Sequence, residues 1–206
     1  MITPDITSTS PNFSHVKPSG QGVVIHATRS GVSMNPNELE GTLNWFKQGA
    51  SQVSSHWVIG RNGVTCRVVS DGLMAWHAGE HNATHWGIEL EQGVEADGFT
   101  DVQMDALVRV CKGYVQDFGV SPVHSMTGFI GHQQTPQGKR VGKSDPGMLF
   151  DWTGFINKLS ATPPSMLEEM KMLVDLGYFI THEWDFKDMQ PWQKAYLAEW
   201  NRRANT

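Results

Sequence analysis

Val23-Val24-Ile25-His26-Ala27-Thr28 constrains the fold more than any other stretch of the chain. Three consecutive apolar β-branched residues read as a strand covered on both faces, because a strand with one wet face alternates. His26 ends the run, so a sheet would carry it to its rim. In α/β proteins ligands collect at that rim, at the carboxyl ends of the strands. On its own the histidine is better read as a hydrogen-bonded core residue; the other segments shift that balance.

Those segments supply the rest of an α/β domain. Asn35-Pro36-Asn37-Glu38 starts a helix, with an N-cap Asn, Pro at the first helical position and Glu at the third. Leu39, Leu43 and Phe46 continue it at helical spacing over 36–48. Residues 54–59 and 64–69 are strand-like and are joined at Arg61-Asn62-Gly63, a hairpin signal. Gly87-Ile88-Glu89-Leu90-Glu91 alternates apolar and acidic residues, so both glutamates share one strand face. Thr100-Asp101-Val102-Gln103 opens a second helix whose apolar stripe runs through Ala106, Leu107, Val110, Cys111 and Tyr114 to Phe118, before Gly119. Residues 123–130 read as a short strand or loop leading to Gly131-His132, and 150–159 as a closing helix. Between them, 133–147 reads as a long loop of the kind that often carries function.

The two ends differ from this middle. Residues 1–20, rich in Ser, Thr, Pro and Asn, read as an irregular arm before a domain over 21–160. Residues 161–206 break at Pro163-Pro164 and then read as a small helical extension, with Trp192, Tyr196 and Trp200 on one helix face. So short a segment makes a marginal core by itself, so it is expected to dock on the preceding domain.

The chain holds 16 basic and 21 acidic residues, a net charge of −5, which argues against nonspecific nucleic-acid binding. No apolar run approaches the roughly 20 residues that span a bilayer. Met1-Ile2-Thr3-Pro4-Asp5 has no basic region followed by an apolar core, so no secretory signal is expected. Cys66 and Cys111, in no metal-like spacing, read as buried reduced thiols.

Histidines are plentiful, yet neither HExxH nor CxxC occurs, so no local zinc motif exists. Six blocks do occur in order: Val24-Ile25-His26, Ser54-Ser55-His56-Trp57, Ala75-Trp76-His77-Ala78-Gly79, Gly87-Ile88-Glu89-Leu90-Glu91, Gly131-His132 and Lys143-Ser144-Asp145-Pro146-Gly147. Over 20–160 the chain thereby resembles the zinc-dependent N-acetylmuramoyl-L-alanine amidases of the amidase-2 family, related to peptidoglycan recognition proteins. The resemblance implies a mixed central β-sheet flanked by helices. It also implies one zinc ion on His26, His132 and Asp145, a set of two neutral imidazoles and a carboxylate that leaves a fourth position open. Such a metal acidifies water toward neutral pH and polarises an amide carbonyl. Glu89 matches the family's general acid/base, and Lys143 the group that stabilises the oxyanion. In an extended loop Lys143 and Asp145, two apart, face the same way, and Pro146 biases Asp145 toward that conformation.

Some positions depart from the family or remain open. Ser55 stands where one branch, the phage T7-type lysozymes, has a catalytic tyrosine, and Asp145 where that branch has a cysteine. Acid–base work therefore falls to Glu89, and the site chemistry is nearer the AmpD-like branch. The bulky pair His85-Trp86 either narrows the cleft or fills core. Trp76 and His77 are candidate substrate-cleft residues, each equally readable as core or as a structural hydrogen bonder. His56 is a candidate cleft residue rather than a ligand, and Arg140 a candidate contact for a stem-peptide carboxylate.

The implied reaction is hydrolysis of the amide between the lactyl group of N-acetylmuramic acid and L-alanine in peptidoglycan. The N-terminal sequence and the extra C-terminal segment favour a phage-type endolysin, monomeric, made in the cytoplasm and acting on the cell wall after release. A cytoplasmic recycling amidase for soluble anhydro-muropeptides is the alternative. A non-catalytic peptidoglycan-binding protein is a third reading, though it has no need of the metal set.

Overall fold

The computed structural model describes residues 3–161. The helices expected farther along, and their docking, lie outside the described residues. Strands in chain order are β1 (Ile6–Thr7), β2 (Phe13–Ser14), β3 (Gly22–Ala27), β4 (Trp57–Ile59), β5 (Thr65–Arg67), β6 (Met74–Ala75), β7 (His85–Leu90) and β8 (Phe129–Gly131). The helices are α1 (Glu38–Phe46), α2 (Asp101–Phe118), α3 (Pro136–Arg140) and α4 (Trp152–Ser160).

One sheet has the strand order β1-β5-β4-β7-β3-β8. Only β4 and β5 pair antiparallel in it, across the Arg61-Asn62-Gly63 turn; the other pairings are parallel, so the sheet is mixed. Every residue of β3 is buried, as its unbroken apolar run requires. Val23, Ile25, Ile88 and Phe129 pack on one face against Leu107, Val110 and Tyr114 of α2 and Phe155 and Leu159 of α4. On the other face Val58 and Cys66 meet Leu43 and Phe46 of α1, while Val24 and Ile130 meet Ala78. His26, two residues beyond Val24, points to this second face because successive strand side chains alternate. The architecture is thus the mixed sheet flanked by helices that the sequence leads one to expect.

The local signals explain the element ends. Thr100 Oγ1 accepts the N–H of Gln103 at the start of α2, and Gly119 closes the helix with φ of 72°. Cys66 and Cys111 are buried free thiols. Among the described residues no helix is long and apolar enough to cross a membrane.

Two expectations need correction. The N-terminal arm is not wholly irregular: β1 pairs with β5, and β2 with β6. Each of these pairings is two residues long, too short to leave a periodic signature. The segment after His132 is not a plain loop either. It contains α3, for which Thr135 Oγ1 accepts the N–H of Gly138 and Pro136 occupies the first turn. Thr-Pro is a legitimate helix start, masked in the sequence by the lack of an apolar stripe.

Candidate active site

Sheet register assembles the site. β3 pairs with β8 so that Ile25 lies opposite Gly131, which brings the next residues, His26 and His132, side by side. On its other edge β3 pairs with β7 so that His26 lies opposite Glu89. Neighbouring parallel strands in register direct paired side chains to the same face. Residues far apart along the chain therefore meet at the carboxyl ends of three adjacent strands.

Asp145 joins them from the segment after α3, where its carbonyl accepts the N–H of Gln133 at 2.9 Å. His26 Nδ1 lies 3.0 Å from His132 Nδ1. Asp145 Oδ2 lies 3.2 Å from the first nitrogen and 3.3 Å from the second. On a tetrahedral ion with ~2.0–2.1 Å bonds, ligand atoms sit about 3.3–3.4 Å apart. The triangle is closed to nearly that size, and all three residues are buried. Among the described residues this is the cluster whose ligand atoms can share a metal ion. Burial pushes the His26 imidazole below its ordinary range, against the pull of Asp145. Burial also pushes the Asp145 carboxyl up, but the adjoining His132 and His26 rings outweigh it and hold the group well below the usual range.

Glu89 and Lys143 line the same cavity as the triangle. A cavity of about 420 Å³ reaches the cluster and is lined by His26, His77, Glu89, His132, Lys143 and Asp145. Trp45, Phe46, Val53 and Trp76 form its apolar wall. Glu89 Oε2 is buried with no hydrogen-bond partner. Burial, then the charge of Asp145, push its carboxyl up to about 8, with Lys143 opposing. Lys143 lines the same cavity and is exposed.

The remaining expected residues separate. Trp76 lines the cavity and donates its indole N–H to Ser14 Oγ at 3.0 Å. His77 lines it too, but its Nδ1 lies 3.1 Å from His26 Nε2, so one side of the ring addresses a cluster histidine rather than open space. His56 is a correction. Its ring is fully buried, Nε2 meets the Leu73 carbonyl at 3.0 Å, and Nδ1 accepts the Gly87 N–H at 2.9 Å. With both nitrogens committed to backbone it is a core residue, not a cleft residue. Arg140 is also corrected: it is absent from the cavity lining and pairs at the surface with Glu80 at 3.1 Å. His85 and Trp86 fill core, and Glu91 accepts the Arg61 backbone N–H at 2.7 Å. Ser55 is buried, its hydroxyl on the Trp57 carbonyl at 2.7 Å.

Two residues escape sequence reasoning. Gln137 Oε1 lies 2.9 Å from His132 Nε2; the Thr-Pro start of α3 was the available clue to its placement. Arg29 donates to Ser144 Oγ at 3.2 Å and to the Pro146 carbonyl at 2.9 Å, pinning the segment that bears Lys143 and Asp145. It also reaches Gln92 Oε1 at 2.8 Å and Glu95 Oε2 at 3.3 Å. Nothing in its sequence context marks it.

Comparison with known proteins agrees with this geometry. The family profile described as N-acetylmuramoyl-L-alanine amidase (Amidase_2) matches residues 17–148. The chain is 24% identical over 167 residues to N-acetylmuramoyl-L-alanine amidase A of Achromobacter lyticus, covering 74% of this chain and 90% of that protein. It is 33% identical over 112 residues to 1,6-anhydro-N-acetylmuramyl-L-alanine amidase AmpD of Escherichia coli strain K12, covering 50% of this chain. That match takes in 57% of the AmpD sequence, so the chain spans little more than half of this relative. Among solved structures, a selenomethionine AmpD derivative shares the fold with a TM-score of 0.60 at 23% identity, over 78% of this chain and 97% of that one. The amidase LysC from Clostridium intestinale URNW gives 0.53 at 18% identity, over 78% of this chain and 100% of that one. Drosophila peptidoglycan recognition protein SA gives 0.51 at 20% identity, over 65% and 83% of the two chains.

Proposed function

The chain belongs to the N-acetylmuramoyl-L-alanine amidase family, and on that premise we propose that it hydrolyses the amide between N-acetylmuramic acid and L-alanine in peptidoglycan, with zinc held by His26, His132 and Asp145. The observation that carries this reading is the closed triangle of two imidazole nitrogens and one carboxylate oxygen in the lining of the cleft. Such a donor set, with a position left open, is what zinc takes at catalytic sites. When bound there, zinc supplies Lewis acidity at neutral pH.

The protein's own groups handle the protons and the charge. Glu89, whose Oε2 has no hydrogen-bond partner, acts from its ionised form: it takes a proton from the attacking water, and its carboxyl, lifted to about 8, holds that proton until it passes to the departing amine of L-alanine. The C–O bond forms and the C–N bond breaks at the carbonyl carbon between them. Lys143 brings a positive charge to the oxygen that becomes anionic. Trp76 and the half-exposed Trp45, which line the same cavity, offer flat apolar faces to the substrate.

Two substrates share this bond. One is wall-attached peptidoglycan, the target of an endolysin. The other is the soluble anhydro-muropeptide pool, which the names of the AmpD relatives favour. Mass spectrometry of digested purified walls, beside digestion of small muropeptides and wall turbidity, separates them. In either case stem peptides with free L-alanine amines are expected. Chelation should abolish their release and zinc should restore it. Undiminished hydrolysis by metal-free protein, or an intact amide after digestion, would overturn the proposal. So would binding to peptidoglycan without turnover, the signature of a recognition protein.

A further inference from the structure

The two imidazoles of the triangle are each held from behind by an acceptor. His132 Nε2 lies 2.9 Å from Gln137 Oε1. An amide oxygen only accepts, so the ring hydrogen of His132 is on Nε2 and its Nδ1 is bare. His77 Nε2 lies 3.2 Å from the His85 carbonyl oxygen, which likewise only accepts. His77 therefore keeps its hydrogen on Nε2 and presents a bare Nδ1 to His26 Nε2, 3.1 Å away. His26 must donate there, which leaves its own Nδ1 bare. Both relays end on lone pairs that face Asp145 Oδ2.

We propose that Gln137 and His77 are positioning residues that hold His132 and His26 in the Nε2–H tautomer, Gln137 directly and His77 by relaying the His85 carbonyl. The alternative tautomer explains why this matters. With a hydrogen on Nδ1, either ring would donate to Asp145 Oδ2 across the 3.2–3.3 Å that separates them. The cluster would then satisfy itself and close against a cation. Acceptors behind the rings remove that competing state, as outer groups around metal-binding histidines do.

The surroundings are shaped for these two side chains. A Cβ on Gly87 would lie 2.5 Å from His77 Cγ, so β7 clears the space the ring occupies. Asn82 Oδ1 accepts the backbone N–H groups of His77 and Ala78 at 3.0 and 2.7 Å. Gly79, with φ of 58°, lets the Gln137 stem pass where a Cβ would stand 3.0 Å from its Cγ.

The inference rests on the metal reading above, and its test separates the two. Proton–nitrogen correlation spectra of the histidine rings are recorded on metal-free full-length protein at mildly alkaline pH, for wild type, Gln137→Leu and Gln137→Glu. Zinc affinity is measured on the same samples against a chromophoric chelator, with circular dichroism to show that each is folded. The wild type should show the Nε2–H form at His132 and His26. Gln137→Leu should move His132 toward the Nδ1–H form and weaken zinc binding roughly 10–100-fold, whereas Gln137→Glu, which keeps an acceptor, should preserve both. A folded Leu variant with wild-type tautomer and affinity would overturn the inference, as would a Glu variant as impaired as Leu. Lack of saturable zinc uptake by wild type would instead sink the metal reading. The His132 tautomer in the metal-free protein would still decide the role of Gln137.

Discussion

Glu89 Oε2 is buried without a partner, and such an atom costs stability unless it is put to use. Because Glu89 is outside the ligand triangle, Glu89→Gln should bind zinc like wild type while kcat falls ~10²–10⁴-fold. Metal content and turnover measured on one preparation check this, and near-wild-type kcat would remove the carboxylate from its role. Lys143→Ala should lower kcat by ~10²–10³-fold if its charge serves the oxyanion. A rise in KM alone would make Lys143 a substrate-binding group instead. His56 shows the limit of reading single residues: the sequence displays a histidine beside Trp57, but not that the Leu73 carbonyl and the Gly87 N–H close on its two nitrogens.

Legibility differs between elements for a physical reason. β3 and α2 carry their instructions locally, in an apolar run, a Thr100 cap, a helical stripe and Gly119, and they form where expected. The ligand triangle was accessible only through six blocks in order, because no spacing links His26 to His132 until β8 pairs with β3. Arg29 and Gln137 stayed hidden because their partners are fixed by how loops fold back, not by any local pattern. Two substitutions test the packing between elements. Gly87→Ala puts a methyl group 2.5 Å from His77 Cγ, so it should cost about 1–3 kcal/mol in chemical denaturation and weaken zinc binding. An alanine accepted there at no cost would mean that the His77 ring is free to leave. Arg29→Ala unpins Ser144 and Pro146, so zinc affinity should fall roughly tenfold while helix content stays constant. Unchanged affinity would show that the Asp145 segment holds itself.

The domain as a whole should be acid-sensitive, and the sign follows from its buried histidines. Burial pushes the His56 imidazole down to about 4 from 6.5, with Asp71 opposing and Arg67 adding to the shift. The unfolded chain takes up that proton as pH falls below 6.5, while the folded protein resists until about 4. Stability is therefore complete above the unfolded value and is lost on the way down, on the order of 3 kcal/mol from this residue. His26, His77 and His85 are lowered in the same direction, burial again the leading cause, and add to the loss. Urea midpoints at neutral pH and near pH ~4.5 should differ accordingly, and a flat profile would contradict the burial of these rings. The side-by-side seating of His26 and His132 has a broader outcome. Slipping β8 by a single residue would swing its histidine through the sheet to the α2 side, because strand side chains alternate. For the zinc proposed above, a sheet zipped only partway would offer two of the three ligands at most, so tight metal uptake would gauge whether β8 has closed on β3 in step.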